Sequence, residues 1–251
     1  LAWVLPSLVG PAIAGHVTQE WGWRYVFGVV PFFVAVAALP IAYVLRSIPT
    51  AQGQRSPMLA SLSRDAGLVG IGVMLLQLAG ALPTPLAQFG VFALGVCITV
   101  WALPRLLPRG TFHSRRGMPS AILARLSAMA SQVGLAVMIP LILQRVHGWS
   151  EASSAWWVTL GSITWSIGAV GQARVHDPHL RRRLPVIGGT LMAIGAIPVG
   201  ALLFPSIPVW VALIGWLLVG LGVGLVHAPL SVMALEVTPE SKHRRVASWL
   251  Q

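Results

Sequence analysis

Residues 208–236 read PVWVALIGWLLVGLGVGLVHAPLSVMALE, and this run decides the fold. Its one charged side chain, Glu236, stands at the very end. A hydrocarbon layer of about 30 Å asks for about 20 helical residues of mainly apolar character, and this stretch meets that length. Its glycines and Pro229 argue against a buried helix of a water-soluble domain. In a membrane, neighbouring helices re-satisfy the backbone groups such residues free. Comparable runs occupy residues 24–46, 62–82, 86–104, 120–146, 152–173 and 184–204, with the tail of another at 1–17. None shows the apolar/polar alternation of a membrane barrel strand. The expected fold is an all-α, polytopic transmembrane helical bundle.

Charge supplies the orientation. If residues 1–11 run toward the outside, every Lys and Arg of the 17 except Arg24 and Arg145 falls at an inside-facing junction. That asymmetry is the positive-inside pattern. The net charge of +11 does not signal nucleic-acid binding, because a chain that is 56% hydrophobic and 9% charged has no soluble surface to present to one. Mean hydropathy is +0.78. Most of the 11 Trp, among them Trp21, Trp23, Trp149, Trp156, Trp157 and Trp210, fall at expected outside interfaces, as an aromatic belt does. Cys97 is the single cysteine and has no intrachain partner.

Two segments carry the sharpest motifs. Gly10-Pro11-Ala12-Ile13-Ala14-Gly15 is followed by Trp21-Gly22-Trp23-Arg24-Tyr25-Val26-Phe27. Small residues permit close backbone approach, and a proline removes an amide donor and bends the helix. On physical grounds alone this is equally an ordinary tight helix crossing. The pair resembles the antiporter motif of the major facilitator superfamily, where a fifth helix ends in GPxxGG and a GWRxxF start opens the sixth. Here Ala14-Gly15 replaces the final Gly-Gly. The resemblance implies a place at the interface of two halves for Gly10, Pro11 and Gly15, with Trp23 and Arg24 opening the next helix. Leucine at Gly10 or Gly15 is then expected to reduce transport without blocking insertion.

Near the other end, Gly220, Gly222 and Gly224, then Pro229, Pro239-Glu240 and Arg244-Arg245-Val246-Ala247-Ser248, resemble the same family's glycine-rich helix running to an inside Pro-Glu-x-x-x-Arg junction. The glycines are expected to line a close helix contact. Gly171, Asp177, Arg181 and Arg182 resemble a degenerate copy of the family's inside-loop latch, without the glycine before the arginines. A plain basic loop is an equal reading. Asp177 is expected to pair with Arg181 or a neighbouring helix end.

Two apolar runs, 62–82 and 86–104, stand between the antiporter-like pair and the later block. That order resembles the fourteen-helix drug:proton antiporter subfamily, and on that count the chain is an internal piece holding helices five to twelve. The expected divisions are 1–46 as the end of an N-terminal bundle, 47–119 as two extra central helices with inside linkers, and 120–251 as the first four helices of a C-terminal bundle. The resemblance implies a secondary active transporter of a bacterial inner membrane that exports small organic or drug-like compounds in exchange for protons. It implies lipid and a small solute as partners, no nucleic acid, and a monomer when full length. An importer, a non-drug carrier of the same fold, or an inactive truncated piece are the other readings.

Residues for such work are scarce. A charge at bilayer depth is expensive and marks function, yet only Glu236 and Asp65 lie near helix ends, while Glu20, Glu151, Asp177 and Glu240 lie in loops. His227 and Glu236 are the candidate proton-path groups. Gln77, Gln132, Trp165 and Trp216 are candidate cavity residues, with cross-helix packing or hydrogen bonding as the default for each. No glycine-rich phosphate loop with lysine, no nucleophilic constellation and no metal-ligand spacing occurs, so no enzyme activity, cofactor or metal is expected.

Overall fold

The computed structural model describes residues 4–47, 57–108 and 110–236. Arg55, Arg109, Lys242 and the Pro239-to-Ser248 signature lie outside the described residues. Among the described residues, eight α-helices run in order: α1 (Val4–Trp21), α2 (Trp23–Ser47), α3 (Pro57–Ala79), α4 (Pro85–Leu106), α5 (Met118–His147), α6 (Glu151–Ala173), α7 (Pro178–Val199) and α8 (Val209–Glu236). Short 3-10 turns sit at Thr111–His113 and Gly200–Leu203. No strand occurs among the described residues. The fold is an all-α polytopic bundle.

Local chemistry explains the helix boundaries. Gly22 alone separates α1 from α2, and its φ of 92° is a conformation that a side chain would strain. At the end of α5, Gly148 takes φ 68° and the Trp149 amide reaches back to the Leu143 carbonyl at 3.1 Å. Ser150 then caps α6 by accepting from the Ser153 amide at 3.2 Å, with Glu151 in the first turn where the helix dipole favours a negative charge. In the tight turn before α4, the Gln88 side chain donates to the Leu82 carbonyl at 2.8 Å, and Pro85 opens the helix.

Among the described residues, six helices are long and apolar enough to cross a membrane: α2, α3, α4, α5, α7 and α8. The other two, α1 and α6, fall short of the eight spans read from sequence. In α6 the cause is its hydroxyl content. Ser154, Thr159, Ser162, Thr164 and Ser166 each bond a carbonyl three or four residues back, so the polar groups are satisfied within the helix while its hydropathy falls. The two less apolar helices pack against each other.

The core is built around α8, which packs on α5, α6 and α7. Its glycines decide the spacing. A Cβ on Gly222 would lie 2.5 Å from the Gly188 carbonyl of α7, while Gly220 and Gly224 abut Gly161 and the Trp165 carbonyl of α6. One helix thus seats two neighbours on alternate small-residue faces. In lipid such van der Waals contact is what holds helices together. Trp216 fills the centre: it is 1% exposed, lies across Gly161 and donates from Nε1 to the Trp157 carbonyl at 2.7 Å.

α3 and α4 form a hairpin that packs chiefly on itself, where Gly95 approaches the Gly72 carbonyl. α2 buries no described residue and exposes Phe27, Phe32, Phe33 and Tyr43. Such a surface would aggregate in water and suits lipid. With this architecture the chain is a multi-pass integral membrane protein.

Candidate functional site

The antiporter-like segment lies on α1 and meets the start of α6. A Cβ on Gly15 would stand 2.5 Å from the Ala155 Cβ, 3.2 Å from the Glu151 carbonyl and 3.3 Å from the Ala152 Cα. Only a residue without a side chain fits that seam. Gly10 is different, because among the described residues nothing lies within 4 Å of a Cβ built there. Pro11 is within α1, which continues through it. Beyond Gly22, Arg24 lies over the Trp23 ring at 5.1 Å, and Trp23 meets Phe27 edge-on at 6.0 Å. Trp23 and Arg24 are both exposed, so they flank the seam rather than enter it.

Beside Gly15 opens a recess of about 400 Å³ between α1, α5 and α6. Thr18, Gln144, Glu151 and Ser154 bring polar groups to it. Gln144 donates to Ser154 Oγ at 2.9 Å and ties α5 to α6 there.

Toward the start of α5, that helix, α6 and α8 bring a second cluster together. Arg125 Nη2 lies 2.8 Å from His227 Nε2, and Arg125 Nη1 donates to the His227 carbonyl at 3.3 Å and to Ser231 Oγ. Ser231 in turn donates to the His227 carbonyl at 2.9 Å. Trp165 of α6 meets the imidazole edge-on, with centroids 6.1 Å apart. Sequence reasoning singled out His227 and Trp165 but counted Arg125 only among the inside charges. The missed signal was its place several residues into a membrane span, beyond the loop where a merely topological charge belongs.

The remaining expectations divide. Trp216, a candidate for the substrate path, is sealed in the core by Gly161, and Trp157, assigned to the interfacial belt, is buried beside Trp149. Trp216 thus takes the packing role expected of it by default, and Trp157 is corrected from the interfacial belt to a buried packing residue. Gln132 is half-buried, and Gln77 is exposed on the α3–α4 hairpin. Glu236 ends α8, and its side chain lies outside the description. Asp65 is 6% exposed and pairs with Arg64 at 3.4 Å. Gly171 lies within α6, with open space around it.

Of the two partners expected for Asp177, the helix end is the one it takes. Its carboxylate accepts from the His179 amide at 2.9 Å as the N-cap of α7, and among the described residues it makes no ion pair with Arg181. Arg181 and Arg182 are inside the first turns of that helix and line a recess with His176, Pro229 and Met233. A local cap outcompetes the pair because the amide is fixed two residues away, whereas an exposed ion pair must order two long side chains. Asp177→Ala should therefore cost about 1 kcal/mol of stability, read by thermal unfolding in detergent, and Asp177→Asn should cost little. An Asn variant as damaged as the Ala variant would show that the charge, not the cap, matters.

The whole of this chain, residues 1–251, matches the sequence profile of the Major Facilitator Superfamily. The chain belongs to that family. Family members are carriers, not catalysts. Two curated relatives, both named probable multidrug-efflux transporters and coming from Mycobacterium tuberculosis strains CDC 1551 and H37Rv, are each 24% identical over 258 residues. The alignment covers 93% of this chain and 52% of either relative, so this facilitator chain spans about half the length of the curated relatives it matches. No solved structure matches it significantly.

Proposed function

We propose that the full-length protein is a proton-coupled exporter of small organic compounds, in which two helical halves rock about a central cavity. The observation that carries this reading is the seam at Gly15. A helix bearing the antiporter-like motif packs, through a glycine that tolerates no side chain, on the first turn of a helix from the four-helix block. Such a contact suits two bodies that must meet closely and part again, because it relies on backbone proximity without interlocking side chains. On this reading α1 and α2 end one half, α3 and α4 are the two extra central helices of a fourteen-helix carrier, and α5 to α8 open the other half. The exporter works as a monomer in a bacterial inner membrane. The names of the two mycobacterial relatives support efflux of drug-like solutes.

Export of a lipophilic cation dye from vesicles holding the full-length chain tests this. The expected result is uphill dye movement that collapses when a protonophore dissipates the gradient. A correctly inserted protein that moves no dye, or whose dye movement ignores the gradient, would contradict the reading.

A further inference from the structure

We infer that His227 Nε2 is the atom that takes up the coupling proton, and that Arg125 is the positioning residue that holds it ready and is released when it is filled. The inference deepens the proposed function and rests on that reading.

The argument begins with donors and acceptors. A guanidinium has five N–H donors and no acceptor. His227 Nε2, 2.8 Å from Arg125 Nη2, must therefore accept. An imidazole that accepts at Nε2 is neutral and carries its proton on Nδ1. His227 Nδ1 is buried and has no hydrogen-bond partner among the described residues. One ring nitrogen is thus an engaged lone pair, and the other is a buried donor with nothing to bond.

Protonation reverses the Nε2 contact. The incoming proton occupies the lone pair, the Arg125 N–H···Nε2 bond is lost, and two cations face each other in a region of low dielectric. No carboxylate is at hand to absorb the extra charge among the described residues. Facing the imidazole, α5 contributes Arg125, and α6 contributes the uncharged Trp165. From the α6–α7 turn and the start of α7, His176, Arg181 and Arg182 line a separate recess against Pro229, Val232 and Met233 of α8. The next acid on α8 itself is Glu236, more than two turns on.

Arg125 has somewhere to go. It lies about two turns from the inside end of α5, so its long stem can carry the guanidinium toward the inner interface. The Ser231 and His227-carbonyl bonds that fix it are made by the same guanidinium and are lost with it. Proton uptake would then untie α5 from α8 at the inside, where these hydrogen bonds join the two helices. α7 stays packed on α8 through Gly188 and Gly222.

The test places spin labels at exposed Leu126 of α5 and exposed Val186 of α7 in the full-length protein and measures their separation from neutral to acid pH. In wild type the separation should widen on acidification. In His227→Gln it should not respond. Arg125→Gln should hold the short distance throughout, because an amide can donate to neutral His227 and accept from its protonated form, and Arg125→Met should give the wide distance at every pH. A wild-type distance that ignores acid, or a His227→Gln variant that responds like wild type, would overturn the inference. Proton-driven export measured on the same preparations separates the two levels. Export with unmoving helix ends defeats the latch alone, and a responding latch in a protein that exports nothing defeats the exporter reading.

Discussion

Leucine in place of Gly15 should reduce export by about fivefold or more in the full-length protein while leaving its insertion intact. The first added carbon already falls 2.5 Å from the Ala155 Cβ and 3.2 Å from the Glu151 carbonyl. One of these obstacles is backbone, so no rotamer change relieves the clash. Overpacking of this kind costs about 1–3 kcal/mol, and each 1.4 kcal/mol is about a factor of ten in the population of the joined seam. Gly10→Leu is the matched control. It lies on the same helix and in the same motif, yet the space around it is open, and its export should stay close to wild type. Equal losses in both variants would mean that the motif acts through something other than the α1–α6 contact, and wild-type export from Gly15→Leu would remove the seam from the mechanism.

Trp216→Ala is expected to be the most destabilising single substitution in the four-helix block. The indole is 1% exposed, lies across Gly161 and bridges α8 to α6 through the Trp157 carbonyl. Truncating a buried Trp costs about 3–5 kcal/mol. In lipid the loss is mainly of packing contacts, because the hydrophobic drive between helices is absent. Thermal unfolding in detergent should register it as a large drop in Tm, with Trp216→Phe intermediate because it keeps much of the volume and loses the Nε1 donor. A Tm unchanged by the alanine variant would mean that the block is held elsewhere.

The helices were legible because apolar length is a local property. The run at 208–236 corresponds to α8 at Val209–Glu236, and the other runs likewise fall on helices. The runs at 1–17 and 152–173 read as spans like the others, although the serines, threonines and end charges of α1 and α6 lower their hydropathy without showing which helix satisfies them. Partnerships across the bundle were not legible at all. Arg125 and His227 are separated by 102 positions, and nothing in either neighbourhood names the other. Trp216 reads as packing by default, with a cavity role left open, because an isolated indole in an apolar run carries no sign of the facing Gly161. Asp177 illustrates a competition that spacing cannot decide, between Arg181 four residues on and an amide two residues away, and the amide wins. The motif at Gly10 to Gly15 gave both glycines the same standing, and only the position of α6 separates them.

Exchange itself is the most direct test. The full-length protein would be reconstituted into vesicles that enclose a pH indicator, with an imposed gradient of transported solute and no initial proton gradient. Solute moving down its gradient should drive protons the opposite way, and Gly15→Leu should reduce both fluxes together. Solute movement with no proton movement, or with protons in the same direction, would contradict proton-coupled export.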